Sequence, residues 1–207
     1  MADTEHLGCG GTLTFFSMLL VEYVLYPMTG AIGAHSHADA VRRNPTEEGC
    51  PSMAQYAYGE RIGRTAQLRL GTSAVIPDET GTNILLTRRT DNGRWCLPGG
   101  AMEPGESVEE CCLREVWEET GLVVRVIRLL GLYSTPHRVT YYEDGQHWHI
   151  VAANFLVAIT GGILGVSNET TAVGFFSQAD MAALDIVDPH RERIDDFFAG
   201  QDTAFVR

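Results

Sequence analysis

Apolar and polar positions divide the chain into an irregular first part and a periodic second part. Residues 13–34 form an apolar run interrupted by Glu22 and Pro27, and residues 35–60 mix Gly, Pro, Ser, His and charges without apolar period. That second stretch predicts a linker. From Gln67 the text changes. Residues 68–77 and 83–89 are short β-branched or leucine-rich runs separated by DETGT, a turn signal, and predict a strand pair. A Gly/Pro-dense loop, WCLPGGAMEPGE, then leads into SVEECCLREVWEET. Ser107 and Glu110 are placed as a capping box and Gly121 as a left-handed C-terminal residue, so both ends of a helix are signed. Residues 122–134 and 149–160 predict long strands, with the D-G dipeptide of YYEDGQH between them. AVGFFS predicts a short last strand, SQADMAAL a short helix, and residues 189–200 a closing helix with Pro189 in its first turn and Ile194, Phe197 and Phe198 inward. The sum is a mixed sheet clasped by helices, with an appendage and linker over residues 1–60 and one domain over residues 66–200.

Composition narrows the partners. The chain has 207 residues, 44% hydrophobic, enough for one full core with length to spare. Its formal net charge of −12 argues against a nucleic-acid backbone as partner, since a polyanion needs a basic stripe. All 15 basic residues are arginine, so side-chain contacts to phosphate would use the bidentate guanidinium; a codon bias explains the same composition without any mechanism. Five cysteines (Cys9, Cys50, Cys96, Cys111, Cys112) form neither a disulfide framework nor paired zinc-ligand spacings, which fits a reduced, cytoplasmic setting. Three readings fit residues 13–34: an extension from an upstream start, with Met53 as the alternative; an ordered packing appendage; or a membrane anchor. No Lys or Arg precedes Arg42, which speaks against a secretory signal, and an anchor would carry Glu22 near its middle even though Arg42 and Arg43 could flank it, so a membrane is disfavoured as partner.

The chemistry concentrates between Gly100 and Leu122. On a helix, Glu115, Glu118 and Glu119 fall at i, i+3 and i+4, within about 100° of arc. Carboxylates so close raise one another's pKa and call for a positive charge between them. Hard divalent cations with oxygen ligands meet that need. Arg114 can tie down a carboxylate and fix its rotamer. A charge-rich helix is commonly only a solvated face. Here the preceding glycine-rich loop, Glu106 at the junction, and a buried face of Val108, Cys112, Val116 and Trp117 or Leu113 argue for a site.

This stretch resembles the Nudix box. The family pattern of Gly, five residues, Glu, seven residues, Arg-Glu, an aliphatic, any residue, Glu-Glu, any residue, Gly and an aliphatic is met by Gly100, Glu106, Arg114, Glu115, Val116, Glu118, Glu119, Gly121 and Leu122. Seven fixed identities at usages of about 6% make a chance match rarer than roughly 10⁻⁸ at a given start. The resemblance covers about residues 67–200. It implies an α/β (α+β) fold, an α/β/α sandwich with a mixed β-sheet, in which the box forms a loop, helix, loop unit. It also implies Mg²⁺, or Mn²⁺, held by Glu115, Glu118 and Glu119 with the carbonyl of Gly100. By that likeness the cations neutralise diphosphate oxygens and acidify a water for in-line attack. Arg114 and Glu118 are expected in the catalytic machinery. Glu169, in SNETTAVGFF, is a candidate general base or extra ligand, and equally an exposed loop carboxylate.

Substrate choice lies outside the box. Pro136 falls fourteen residues beyond Leu122, close to a proline of ADP-ribose-type members; alternatively it merely ends a strand. Tyr133, Tyr141, Tyr142 and Trp148 could stack on a base, and Arg88, His137 or Arg138 could meet a phosphate. The expected function is hydrolysis of the diphosphate linkage of a small-molecule nucleoside-diphosphate derivative, of ADP-ribose or nucleotide-sugar type. The alternatives are a nucleoside triphosphate pyrophosphatase and a non-catalytic Nudix-like regulator. A homodimer is compatible with all three.

Overall fold

The computed structural model describes residues 55–142 and 145–207. The apolar run of residues 13–34, the start at Met53 and most of the expected linker lie outside these residues. Among the described residues no helix is long and apolar enough to cross a membrane.

The chain enters the fold as a short strand, β1 (Gln55–Tyr58), in a stretch whose composition suggested linker. It pairs antiparallel with another strand that sequence patterning did not reveal, β6 (Arg138–Tyr141). Four residues each are too few to display a period. Between them run β2 (Gln67–Val75), β3 (Asn83–Arg89), the two-residue β4 (Trp95–Cys96), α1 (Val108–Thr120) and β5 (Leu122–Tyr133). After β6 come β7 (His147–Gly162), β8 (Thr170–Ser177), the single turn α2 (Gln178–Met181), α3 (Asp188–Phe198) and β9 (Phe205–Val206). The mixed sheet runs β1, β6, β7, β5, β9, with β2 parallel to β7 from Gln67 opposite Trp148 to Val75 opposite Leu156. A smaller antiparallel sheet holds β4, β3 and β8.

Strand alternation builds two cores, because successive side chains point to opposite faces. Ala74, Ile76 and Leu85 pack with Cys112 and Val116 of α1, together with Leu122, Phe155 and Val157. Their neighbours Val75, Ile84 and Leu86 pack with Met181, Ile186 and Ile194, on the side of α2 and α3. The result is the expected α/β/α sandwich around a mixed sheet.

Helix α1 is fixed at both ends. The Ser107 hydroxyl accepts the Glu110 N–H at 3.2 Å, and the Glu110 carboxylate accepts the Ser107 N–H at 2.8 Å. Gly121, at φ 70°, donates its N–H to the Trp117 carbonyl. Trp117 itself is 60% exposed, so Leu113, not Trp117, extends the buried face. The stripe Val108, Cys112, Val116 anchors the helix, and the carboxylates at 115, 118 and 119 are carried round to the loop side.

A Cβ on Gly121 would lie 2.6 Å from the Ile163 carbonyl oxygen, in a backbone conformation that L residues disfavour. Gly121→Ala should therefore cost about 1–3 kcal/mol in urea unfolding. An unchanged midpoint would show that this end of α1 is not held as described.

Candidate functional site

The loop between β4 and α1 is pinned to the edge of β2. Thr72 donates its N–H to the Gly100 carbonyl at 2.9 Å, and Ala74 donates to Pro98. This brings Gly99 and Gly100 over the Glu115 and Glu119 side chains of α1. A Cβ at Gly100 would lie 2.5 Å from the Glu115 carboxyl carbon, so only glycine leaves room for that side chain. Gly99 donates its N–H to Glu119 Oε2 at 3.1 Å.

Arg114 organises the carboxylates. Its Nη1 donates to Glu115 at 2.9 Å and to Glu118 at 3.0 Å, while Nε and Nη2 grip Glu106 and Nη2 reaches the Ala101 carbonyl. Hydrogen bonds from Arg114 hold the Glu106 carboxyl down to about 2, which identifies Glu106 as a brace for the arginine. Glu118 is the most open of the set, with its side chain 49% exposed, against 12% for Glu115. Glu119 has the opposite environment. Burial pushes its carboxyl up to about 8, and the charges of Glu115 and Glu169 add to the effect against one backbone hydrogen bond. Glu115 is raised as well, chiefly by burial.

Glu169 lies in the loop before β8, where its carbonyl accepts the Thr90 N–H. It is close enough for its charge to act on both Glu115 and Glu119. Topology thus brings an expected loop carboxylate to the box helix from 50 residues away.

The donor set suits a hard divalent cation: oxygen ligands only, on one helix face, with a buried carboxylate that has a single hydrogen-bond donor. The Gly100 carbonyl keeps one lone pair beyond its bond to Thr72. Among the described residues no three potential ligands already converge on one point, because Glu115 and Glu118 turn toward Arg114. Holding a cation would require those two to exchange guanidinium for metal.

Beside Gly99 and Gly100 opens a cleft of about 230 Å³ lined by Tyr56, Arg89, Arg138, Tyr142, His190 and Arg193, among others. The structure separates the expected substrate residues. Arg138 lines the cleft. Arg88 does not: it is exposed and donates to the Gly93 carbonyl, and the alternation of β3 turns Arg89 inward instead. Tyr133 is 1% exposed, with its hydroxyl donating to Asp196 at 3.0 Å, so it is a core residue that no base can reach. Pro136 is absent from the cleft lining, and its carbonyl accepts the Gly63 N–H. Tyr141 stacks on His147, Trp148 sits under Arg69, and His137 accepts the Arg61 N–H; Tyr142 alone of that group reaches the cleft. Arg193 was missed, although it stands at i, i+4 with Phe197 on the inward stripe of α3, a position where an arginine is out of place.

Comparison with known proteins settles the family. The family model of the NUDIX domain matches residues 67–197. The chain belongs to the Nudix family. It is 37% identical over 109 residues to a protein of Methanocaldococcus jannaschii named ADP-ribose pyrophosphatase, covering 51% of this chain and 61% of that protein. It is 34% identical over 132 residues to a putative 8-oxo-dGTP diphosphatase of Bacillus subtilis, covering 63% and 80%. The chain thus spans less than two thirds of the length of the first of these Nudix relatives. Among solved structures it resembles the MutT protein of Methanosarcina mazei Go1 (TM-score 0.55, 25% identity, 67% of this chain and 99% of that one). It also resembles an ADP-ribose pyrophosphatase of Streptococcus suis 89-1591 (TM-score 0.51, 26% identity, 67% and 98%).

A carboxyl raised in the folded state costs stability as pH climbs from its unfolded value near 4.5 to about 8. In EDTA, Glu119→Gln should therefore melt about 5 °C above the parent at pH 8 and much less above it at pH 5, where both side chains are neutral in the folded chain and the unfolded carboxyl has only begun to gain by ionising. Equal melting temperatures at pH 8 would mean that Glu119 is not strained by its burial.

Proposed function

We propose that this Nudix chain is a divalent-metal-dependent hydrolase that cleaves the diphosphate linkage of a nucleoside-diphosphate derivative, of ADP-ribose or nucleotide-sugar type. The observation that carries this reading is the cation-seeking face of Glu115, Glu118 and the buried Glu119, set against the Gly99 and Gly100 backbone that lines a cleft of arginines. The names of the Methanocaldococcus jannaschii and Streptococcus suis relatives support the ADP-ribose assignment. Mg²⁺ or Mn²⁺ held by Glu115, Glu118, Glu119 and the Gly100 carbonyl would supply neutralisation of the phosphate oxygens and a more acidic water. Arg114 positions the carboxylates and would stay braced by Glu106 when a cation takes them over. Glu169, facing the same carboxylates from its loop, is the proposed proton acceptor for the attacking water. Arg138 and Tyr142 hold the substrate in the cleft.

A second substrate reading, a nucleoside triphosphate pyrophosphatase, is favoured by the Bacillus subtilis relative, 80% of whose length is matched. Products separate the two. With magnesium and a panel of dinucleotides, nucleotide sugars and triphosphates, the first reading yields a nucleoside monophosphate plus a second phosphomonoester, and the second yields inorganic pyrophosphate.

Glu118→Gln should abolish metal-dependent turnover, and Arg114→Gln should cost about 10–100-fold in activity or metal affinity. Full activity in Glu118→Gln would remove Glu118 from the machinery, whereas an inert parent across the panel would favour a non-catalytic nucleotide-binding module. Glu169→Gln should lower kcat and alter its pH profile; unaltered turnover removes Glu169 from the machinery.

A further inference from the structure

The α3 side of the cleft holds a charge that the metal site does not explain. Arg193 is only 4% exposed, yet it lines the cleft. Its Nη1 donates to the Ser73 hydroxyl at 3.1 Å, and Ser73 passes its own proton to Asn154 at 2.7 Å, which holds the hydroxyl as an acceptor toward the arginine. Among the described residues its Nε is buried with no hydrogen-bond partner, and its guanidinium lies over the Tyr133 ring, 5.4 Å from the centroid. The neighbouring carboxylates are taken. Glu192 pairs with Arg138, Asp91 with Arg89, and Asp196 with Arg207 and Tyr133.

A buried cation with no ion-pair partner among the described residues opposes folding; the Tyr133 ring and the charge of Glu192 offset only part of that cost, so retaining the cation in a core position requires another reason. Burial lowers the Arg193 pKa only to about 10, and the charge of Arg138 acts in the same direction, so the guanidinium stays positive at neutral pH. His190, one turn earlier on α3, adds a donor. Its Nδ1 accepts the Leu97 N–H at 3.1 Å, which leaves the ring proton on Nε2. Burial, with Arg193, Arg89 and Arg138 around it, keeps that ring neutral. Within a chain of net charge −12, this corner of the cleft is a local positive field.

We propose that Arg193, with His190 beside it, forms a metal-independent phosphate subsite that takes a phosphate group of the substrate other than the oxygens facing the carboxylate helix. The assignment deepens the proposed hydrolase function and rests on it for the word substrate, but not for the existence of the subsite. The guanidinium fork, half used by Ser73, offers its remaining Nη N–H groups to tetrahedral oxygens. A substrate would then be held from two sides: through cations by α1, and directly by α3.

Inorganic phosphate is the probe. In EDTA, phosphate should bind the whole chain and raise its melting temperature above that in chloride of equal ionic strength. Arg193→Met should weaken phosphate binding by about thirtyfold or more in calorimetry, while melting no lower than the parent in chloride because an unpaired buried charge is gone. Arg193→Lys, which keeps the charge but not the fork, should bind with intermediate affinity and covers the case that the methionine variant fails to fold. Phosphate binding no better than chloride, or equal phosphate affinity in parent and both variants, overturns the subsite. With whichever diphosphate the screen shows to be cleaved, phosphate should inhibit competitively through Arg193; non-competitive inhibition would place a free phosphate effector there and overturn the substrate assignment. An inert parent that still binds phosphate in EDTA would count against the hydrolase reading while leaving the subsite standing.

Discussion

The mutual repulsion of Glu115, Glu118 and Glu119, held in check by Arg114 for the first two and by the Gly99 N–H for the third, is the constraint on which the rest of the site depends. Three carboxylates on one helical face do not stay together unaided, and the surrounding elements can be understood as supports for them. Glu106 grips one edge of the guanidinium and the Ala101 carbonyl accepts from it as well, so the arginine cannot swing away. The capping box at Ser107 and the left-handed Gly121 stop α1 from sliding or fraying, which fixes the angle at which the carboxylates leave the helix. Gly100 has no side chain because the Glu115 carboxylate occupies its space.

The same site sets function against stability. Glu119 is a carboxylate buried with one backbone donor, and Arg193 is a guanidinium buried with one hydroxyl acceptor. Each alone weakens the folded state. They do not neutralise one another: α1 packs on one core and α3 on the other, and Arg193 lines the cleft whereas Glu119 is reached only through the Gly99 N–H at its edge. An anionic ligand accompanied by cations would relieve both. The two extensive apolar cores carry the cost, one beneath α1 and one beneath α2 and α3, each built from alternate residues of the same central strands.

The reach of sequence reasoning follows from the range of the interactions. The ends of α1, its buried stripe, the long strands β5 and β7 and the spacing of the box glutamates are set by contacts within a few residues, so Ser107, Glu110, Gly121 and the 115, 118, 119 spacing are legible directly. The sandwich follows from those elements together with the family resemblance. β1, β6 and β9 are not legible, because strands of two to four residues exist only through their partners.

Side-chain direction was decided by tertiary structure. Arg88 and Arg89 are adjacent arginines in one strand, and only the pairing of β3 with β4 and β8 turns the second inward. Tyr133 reads as an aromatic free to stack, until packing against α3 buries it on Asp196. Glu169 reads as a loop carboxylate, until β8 pairs with β3 and sets its loop opposite α1. The sequence alone determined the box, its helix and their cation-seeking charge, because these are local. The cleft, the arginines that face it and the unpaired Arg193 were decided only when distant strands and α3 came together, because burial and the absence of a counter-charge are properties of the packed chain.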